Sequence, residues 1–151
     1  RAHLRVSRSK RIGCGVPAAR PRQALDAEMI AAMPVSLVFD YLGTTLNGPR
    51  AGAARVVVNW RFTDTRETLV STLDHAALTH VDGRTAAAAD VSVVTTRAVF
   101  NAIVLRRRSI DDARTAGELT VTGAAARLSE LFSYFDDLDP AFPIVEPRRP
   151  R

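Results

Sequence analysis

The sequence is poor in the side chains that build metal centres and covalent cross-links. Among its 151 residues there is one cysteine, Cys14, so no disulfide can form within the chain. The three histidines form neither an H-x-H-x-D-H nor an H-E-x-x-H motif. His75 and His80 lie about a predicted hairpin, where solvated side chains are expected. We therefore predict no metal site and no cofactor.

Motifs of nucleophilic and phosphate chemistry are also absent. The chain has no G-x-S-x-G, no P-loop and no G-x-G-x-x-G. Its acid pairs, Asp111-Asp112 and Asp136-Asp137, lie at predicted helix ends. Neighbouring side chains on a helix point about 100° apart, so capping and solvation explain these pairs better than acid–base catalysis. We predict that the chain is not an enzyme.

Long apolar runs are missing as well. None approaches the roughly 18 residues that a membrane-spanning helix needs. Residues 1–24 contain no apolar core of a signal peptide, which favours the cytoplasm for this chain. Because the sequence begins with Arg1 rather than Met, we expect a fragment of a longer protein or a processed product.

Positive charge is concentrated at the two ends of the chain. Residues 1–24 hold seven of the 21 basic residues and no acid, and residues 148–151 add three arginines. The body between them has 11 basic against 16 acidic residues, a net charge of −5. A DNA-binding face needs positive charge on the folded body, so we predict no nucleic-acid partner. The ends are interpreted as solvated tails, with contact to an acidic partner or anionic lipid as the alternative.

The remaining pattern predicts an α+β fold. A helix follows the predicted N-cap Asp26, and a second starts at Pro34 and stops at Asn47-Gly48. Four strands are then predicted, with a hairpin-type turn at Asp82-Gly83, and their spacing fits an antiparallel meander. They cover residues 55–62, 68–74, 77–81 and 89–95. Helices from Thr96 and from Ser109 to Gly117, a strand over 118–123 and a helix over 124–135 complete the order.

Four segments of this body resemble, in order, the C-terminal domain of bacterial alkyl sulfatases. They are "VSLVFDYLGTTLNGPRA", "VVVNWRFTDTRETLVSTLDHAALTH", "ADVSVVTTRAVFNAIVL" and "AGELTVTGAAARLSELFSYFDDLDPAFPIVEP". That domain is similar to sterol carrier protein 2 (SCP2), and "GELTVTG" is shared more widely among SCP2-like domains. The resemblance implies an SCP2-like α+β fold, with a five-stranded, mostly antiparallel sheet covered by about five helices. We predict a disordered basic arm over 1–24, the domain over 25–147 and a basic tail over 148–151.

The resemblance also implies a role. In full-length alkyl sulfatases a zinc-dependent domain of metallo-β-lactamase type cleaves sulfate esters, a helical domain mediates dimerisation, and the SCP2-like domain offers an apolar surface to the alkyl chain. No zinc motif occurs in this sequence, so no catalytic residue is carried over. We predict a non-catalytic accessory domain that binds the alkyl chain of sulfate esters or lipids. The alternative is a structural domain that docks on an alkyl sulfatase catalytic domain.

The predicted ligand site is a cleft between the sheet and the helices. Alternate strand residues and the apolar stripes of helices would line it. The same side chains could instead form a closed core, and the sequence leaves both interpretations open. The predicted lining residues are Val58, Trp60, Leu69, Phe100, Ile103, Val104, Leu131, Phe132 and Phe135.

Overall fold

A computed structural model describes residues 27–137, which fold into a five-stranded sheet and six helices. The strands are β1 (Val56–Phe62), β2 (Thr68–Asp74), β3 (Ala77–Asp82), β4 (Val91–Thr95) and β5 (Leu119–Gly123). The helices are α1 (Ala27–Ala32), α2 (Val35–Thr44), α3 (Gly48–Ala51), α4 (Arg97–Val104), α5 (Ile110–Thr115) and α6 (Ala125–Ser133). The predicted α+β class and mostly antiparallel five-stranded sheet are confirmed. The predicted arm over 1–24, the Asp26 cap, Cys14 and the tail over 148–151 lie outside the described residues.

The strand order differs from the predicted meander. The order is β3-β2-β1-β4-β5, and β4 runs parallel to β1, while the other three pairs are antiparallel. After β3 the chain therefore crosses to the far side of β1 instead of turning back. The prediction of a hairpin turn at Asp82-Gly83 is wrong, because Gly83 begins this crossover. The two-residue hairpin turn lies between β2 and β3 at His75 and Ala76, which both have positive φ, as such loops require.

Two polar side chains fix the crossover to the sheet. The amide of Asn59 on β1 donates to the carbonyl of Ala86 and accepts from its N–H, both at 2.8 Å. Just before β4, a carboxylate oxygen of Asp90 accepts from the N–H of Val57 at 2.8 Å. The backbone N–H of Asp90 also donates to the Val57 carbonyl at 2.9 Å. These bonds hold the start of β4 beside β1.

The Asn47-Gly48-Pro49 segment begins a helix, whereas the sequence predicted that it ends one. Helix α2 already ends at Thr44. The side chain of Asn47 accepts from the N–H of Arg50 at 3.0 Å, so Asn47 is the N-cap of α3. Pro49 lies in the first turn, where its missing N–H leaves no hydrogen bond unmade. This extra helix explains why the structure has six helices rather than about five.

Aromatic rings join the sheet to three helices. Trp60 of β1 lies with its ring centroid 5.5 Å from Phe39 of α2, 5.2 Å from Phe100 of α4 and 6.4 Å from Phe132 of α6. Its indole N–H donates to the buried hydroxyl of Ser71 at 2.8 Å. The largest apolar side chains on this face of the sheet are thus packed against one another, and the polar atom among them has a partner.

Gly123, at the end of β5, lies very close to the backbone of the crossover segment. Gly123 has φ of 97°, and a Cβ there would lie 2.6 Å from the carbonyl oxygen of Asp90. Gly83 has a similar φ of 67° but open space around the corresponding Cβ position. We expect Gly83→Ala to cost about 1–2 kcal/mol through backbone strain. Gly123→Ala should cost about 1–3 kcal/mol more, because the strand ends must separate. Urea denaturation of both variants measures this difference, and equal losses would contradict the close contact.

Candidate functional site

The predicted lining residues lie together in one core between the sheet and the helices. Eight of them are buried, and Val104 is half-buried and packs against the same cluster. The buried eight are Val58, Trp60, Leu69, Phe100, Ile103, Leu131, Phe132 and Phe135. Their packing agrees with the closed-core interpretation for most of the set. Contact of these nine side chains with a ligand stays a prediction.

An open cavity of about 460 Å³ lies at the edge of this core. It is formed where the end of α4, the following loop and the start of α5 face α6. Of the nine predicted residues, Ile103 and Phe132 line it, and both extend into the core. The full lining is Ile103, Arg106, Arg107, Arg108, Ser109, Ile110, Asp111, Asp112, Ser129, Phe132 and Ser133. The cavity therefore combines an apolar wall with a polar, charged rim.

The sequence did not identify most of this rim. Ile110, Ser129 and Ser133 were not predicted to contribute, since a serine on a helix carries no sign of facing a cavity. For the triple arginine 106–108 the sequence favours a solvated helix end, with contact to an anionic head group as the alternative. What places these residues around one space is the path of the loop between α4 and α5.

Arg106 determines that path. Its φ is 58°, which turns the chain sharply after α4. Its guanidinium donates to the carbonyl of Phe135 at 2.8 Å and lies 3.3 Å from the carboxylate of Asp137. The next two backbone N–H groups, of Arg107 and Arg108, both donate to the carbonyl of Ala102, at 2.9 and 3.2 Å. The loop is thus tied to α4 by its backbone and to the end of α6 by the Arg106 side chain.

The charges on the rim are unevenly paired. Arg108 forms an ion pair with Glu118, and Asp111 lies 3.6 Å from Arg114. The exposed Arg107 and Asp112 have no ion-pair partner among residues 27–137. The Nε of Arg108 is buried and has no hydrogen-bond acceptor in the same part of the chain. The rim therefore carries polar and charged groups that have no partner in this part of the chain and that a polar or charged ligand can bind.

A second charged cluster lies on α6. The carboxylate of Glu130 accepts from Arg127 and from the Tyr134 hydroxyl, both at 2.9 Å. These hydrogen bonds, that from Arg127 first, lower the pKa of Glu130. The same carboxylate raises the pKa of Arg127 and of Tyr134. The cluster is a surface network that reinforces the helix carrying Ser129 and Phe132.

Comparison with known proteins identifies the family. A family model described as alkyl sulfatase C-terminal matches residues 23–147. The chain belongs to the alkyl sulfatase C-terminal family. A linear primary-alkylsulfatase of a Pseudomonas species is 32% identical over 120 residues, which are 80% of this chain and 18% of the relative. An alkyl/aryl-sulfatase of Saccharomyces cerevisiae is 33% identical over 133 residues, 88% of this chain and 20% of that protein.

Solved structures confirm both the family and the predicted SCP2-like fold. The secondary alkylsulfatase Pisa1 of a Pseudomonas species superposes with a TM-score of 0.75 and 30% identity, over 79% of this chain and 19% of its own. A UbiJ-SCP2 ubiquinone synthesis protein shares the fold at a TM-score of 0.55 and 19% identity, over 66% of this chain and 91% of its own. The chain spans about a fifth of the length of its curated relatives.

Two further findings concern the described part of this alkyl sulfatase C-terminal domain. Within residues 27–137 no three His, Cys, Asp or Glu side chains are close enough to hold a metal ion together. None of the helices in that segment has the length and hydrophobicity needed to cross a bilayer.

The Glu130 cluster predicts a specific dependence of stability on pH. Because its pKa is lower in the folded state, the ionised carboxylate stabilises the fold above its ordinary pKa. This contribution is lost as the pH falls from about 5 through the lowered value. We expect Glu130→Gln to reduce the loss of stability over that range, whereas Glu28→Gln, on an exposed residue of α1, should not. Thermal unfolding at stepwise lower pH measures both. Parallel curves for wild type and Glu130→Gln would contradict the prediction.

Proposed function

We propose that this domain binds the alkyl chain of a sulfate ester or lipid and acts as a non-catalytic accessory domain of an alkyl sulfatase. The cavity beside Ile103 and Phe132 carries the proposal. Its volume of about 460 Å³ falls within the range of small-molecule sites, roughly 300–1,000 Å³. An apolar wall with a polar rim suits an amphiphile, whose chain leaves water while its head group stays near it.

The position of Phe132 connects the cavity with the site predicted from the sequence. Its ring centroid lies 6.4 Å from that of Trp60 and 5.7 Å from that of Phe135. In this proposal an alkyl chain lies against Ile103 and Phe132 first. Displacement of the Phe132 side chain would then bring the chain to Trp60 and Phe135.

Burial of the chain would supply the binding energy. Each CH₂ removed from water contributes about 0.8 kcal/mol. Association and ordering offset much of the total, so an affinity in the micromolar range is expected for a chain of about twelve carbons. Affinity should therefore rise with chain length until the cavity is filled.

The relatives support separate roles for this domain and for the catalytic part of an alkyl sulfatase. They are named as sulfatases of primary, secondary and aryl or alkyl substrates, and this chain matches about a fifth of each. In the proposed arrangement a separate zinc-dependent part of such a protein cleaves the ester. The domain described here would hold the chain of the substrate, and no catalytic role is assigned to its residues.

The exposed face of the sheet supports a second candidate, a docking role. Val81 of the edge strand β3 is 49% exposed and pairs across the strands with Val70. In this alternative the face packs on an alkyl sulfatase catalytic domain. Analytical ultracentrifugation of the domain mixed with a catalytic domain that lacks its own C-terminal part tests it. A complex that Val81→Asp weakens would support docking, and two separate species would count against it.

A cavity-filling variant tests alkyl binding without changing a side chain of the core. Ser129 is an exposed residue of the cavity rim, so Ser129→Phe should fill the space and weaken binding of submicellar dodecyl sulfate at least about tenfold. Ala126→Phe adds the same ring to an exposed residue of the same helix outside the lining, and it should bind like wild type.

The fluorescence of Trp60 is a suitable reporter for this experiment. It is the one tryptophan of the chain and touches Phe132. Titration should give a saturable change in wild type and in Ala126→Phe. Equal responses of the two phenylalanine variants, or no saturable response in wild type, would contradict binding at this cavity.

A further inference from the structure

We propose that the rim of the cavity is a head-group site that selects anionic amphiphiles, with Arg107 as the principal contact. The inference rests on the proposed alkyl-chain function and adds the class of ligand. A compact oxyanion, such as a sulfate ester or a carboxylate, would bind at the rim while its chain lies along Ile103 and Phe132. The rim lies beside this apolar wall, so one ligand can reach both.

The pairing of charges identifies Arg107. The guanidinium of Arg106 is hydrogen-bonded to the Phe135 carbonyl and ion-paired with Asp137. That of Arg108 is ion-paired with Glu118. Arg107 is exposed and lines the cavity without an ion-pair partner within residues 27–137. Its backbone is nevertheless held in place, since its N–H donates to the carbonyl of Ala102 at 2.9 Å. A guanidinium held on a fixed backbone can bind two oxygens of an oxyanion at once.

Arg108 and Ser129 offer further donors. The Nε of Arg108 is buried without an acceptor in the described segment, although a buried donor left unpaired is unfavourable. Its guanidinium carries the ion pair with Glu118, which holds this side chain in the cavity lining. The Ser129 hydroxyl lines the same space and makes no hydrogen bond within residues 27–137.

Asp112 opposes an anion on the same rim. It is the other lining residue whose side-chain charge is unpaired in the described segment, because Asp111 is near Arg114. Its negative charge would repel an oxyanion and limit affinity. We therefore expect that removing one or the other of the two unpaired charges has opposite effects on the affinity for an anion. Removing Arg107 should weaken binding of an anionic amphiphile, and removing the Asp112 charge should strengthen it.

The experiment compares head groups on one chain length. Calorimetric titrations of the full chain use dodecyl sulfate, laurate, dodecyltrimethylammonium and the nonionic dodecyl maltoside, all below their micelle concentrations. Inorganic sulfate is added as a separate ligand. We expect both anionic amphiphiles to bind about tenfold more tightly than the nonionic one, and inorganic sulfate to bind too weakly to detect. A preference for dodecyl sulfate over laurate would identify sulfate esters as the better source of the head group, and the reverse would identify fatty acids.

The variants separate a head-group contact from a general change in structure. Arg107→Gln should remove most of the anionic preference and leave dodecyl maltoside binding unchanged. Arg107→Lys should retain part of it. Asp112→Asn should increase it about threefold. Arg84→Gln removes an exposed arginine that is not in the lining, so it should match wild type.

Two results would overturn the inference. If all four amphiphiles bind equally, or if Arg107→Gln behaves like Arg84→Gln, the rim does not select anions, although alkyl binding still holds. If none of the amphiphiles binds wild type, the alkyl-chain function fails together with the head-group site.

Discussion

The contact of Trp60 with the rings of three helices is the interaction on which the rest of the structure depends. Phe39, Phe100 and Phe132 approach the same indole from α2, α4 and α6. Aromatic side chains bury large areas, so this cluster fixes the distance of those helices from the central strand β1. The bond from the indole to Ser71 adds the neighbouring strand β2. The positions of the helix ends, and therefore of the cavity, follow from this arrangement.

The cavity lies where that packing stops. Helix α4 ends at Val104, and Arg106 then directs the loop to the Phe135 carbonyl instead of into the core. Ile103 and Phe132 are left with one side against the core and one side toward the open space. Well-packed interiors have few such spaces. Its apolar wall and charged rim account for both proposals, the alkyl chain at the wall and the head group at Arg107.

The sequence predicted the elements better than their arrangement. Alternation and β-branched residues located the strands, and Thr96 and Ser109 proved to be helix caps, as hydroxyl side chains before helices often are. The parallel β1–β4 pair was missed because alternation identifies a buried face but not a neighbouring strand. Asn47-Gly48-Pro49 was misread because the same residues suit the end of one helix and the start of the next. The apolar stripes of the predicted helices identified Ile103 and Phe132. The cavity, however, depends on the path of the loop between α4 and α5, which no local sequence pattern determines.

Native mass spectrometry tests alkyl binding most directly. The intact chain would be measured as purified and after addition of dodecyl sulfate below its micelle concentration. We expect one bound amphiphile at low ligand excess, lost when Ser129→Phe fills the cavity and retained in Ala126→Phe. A mass that stays ligand-free, or a broad distribution of many bound molecules that neither variant changes, would contradict a defined alkyl site.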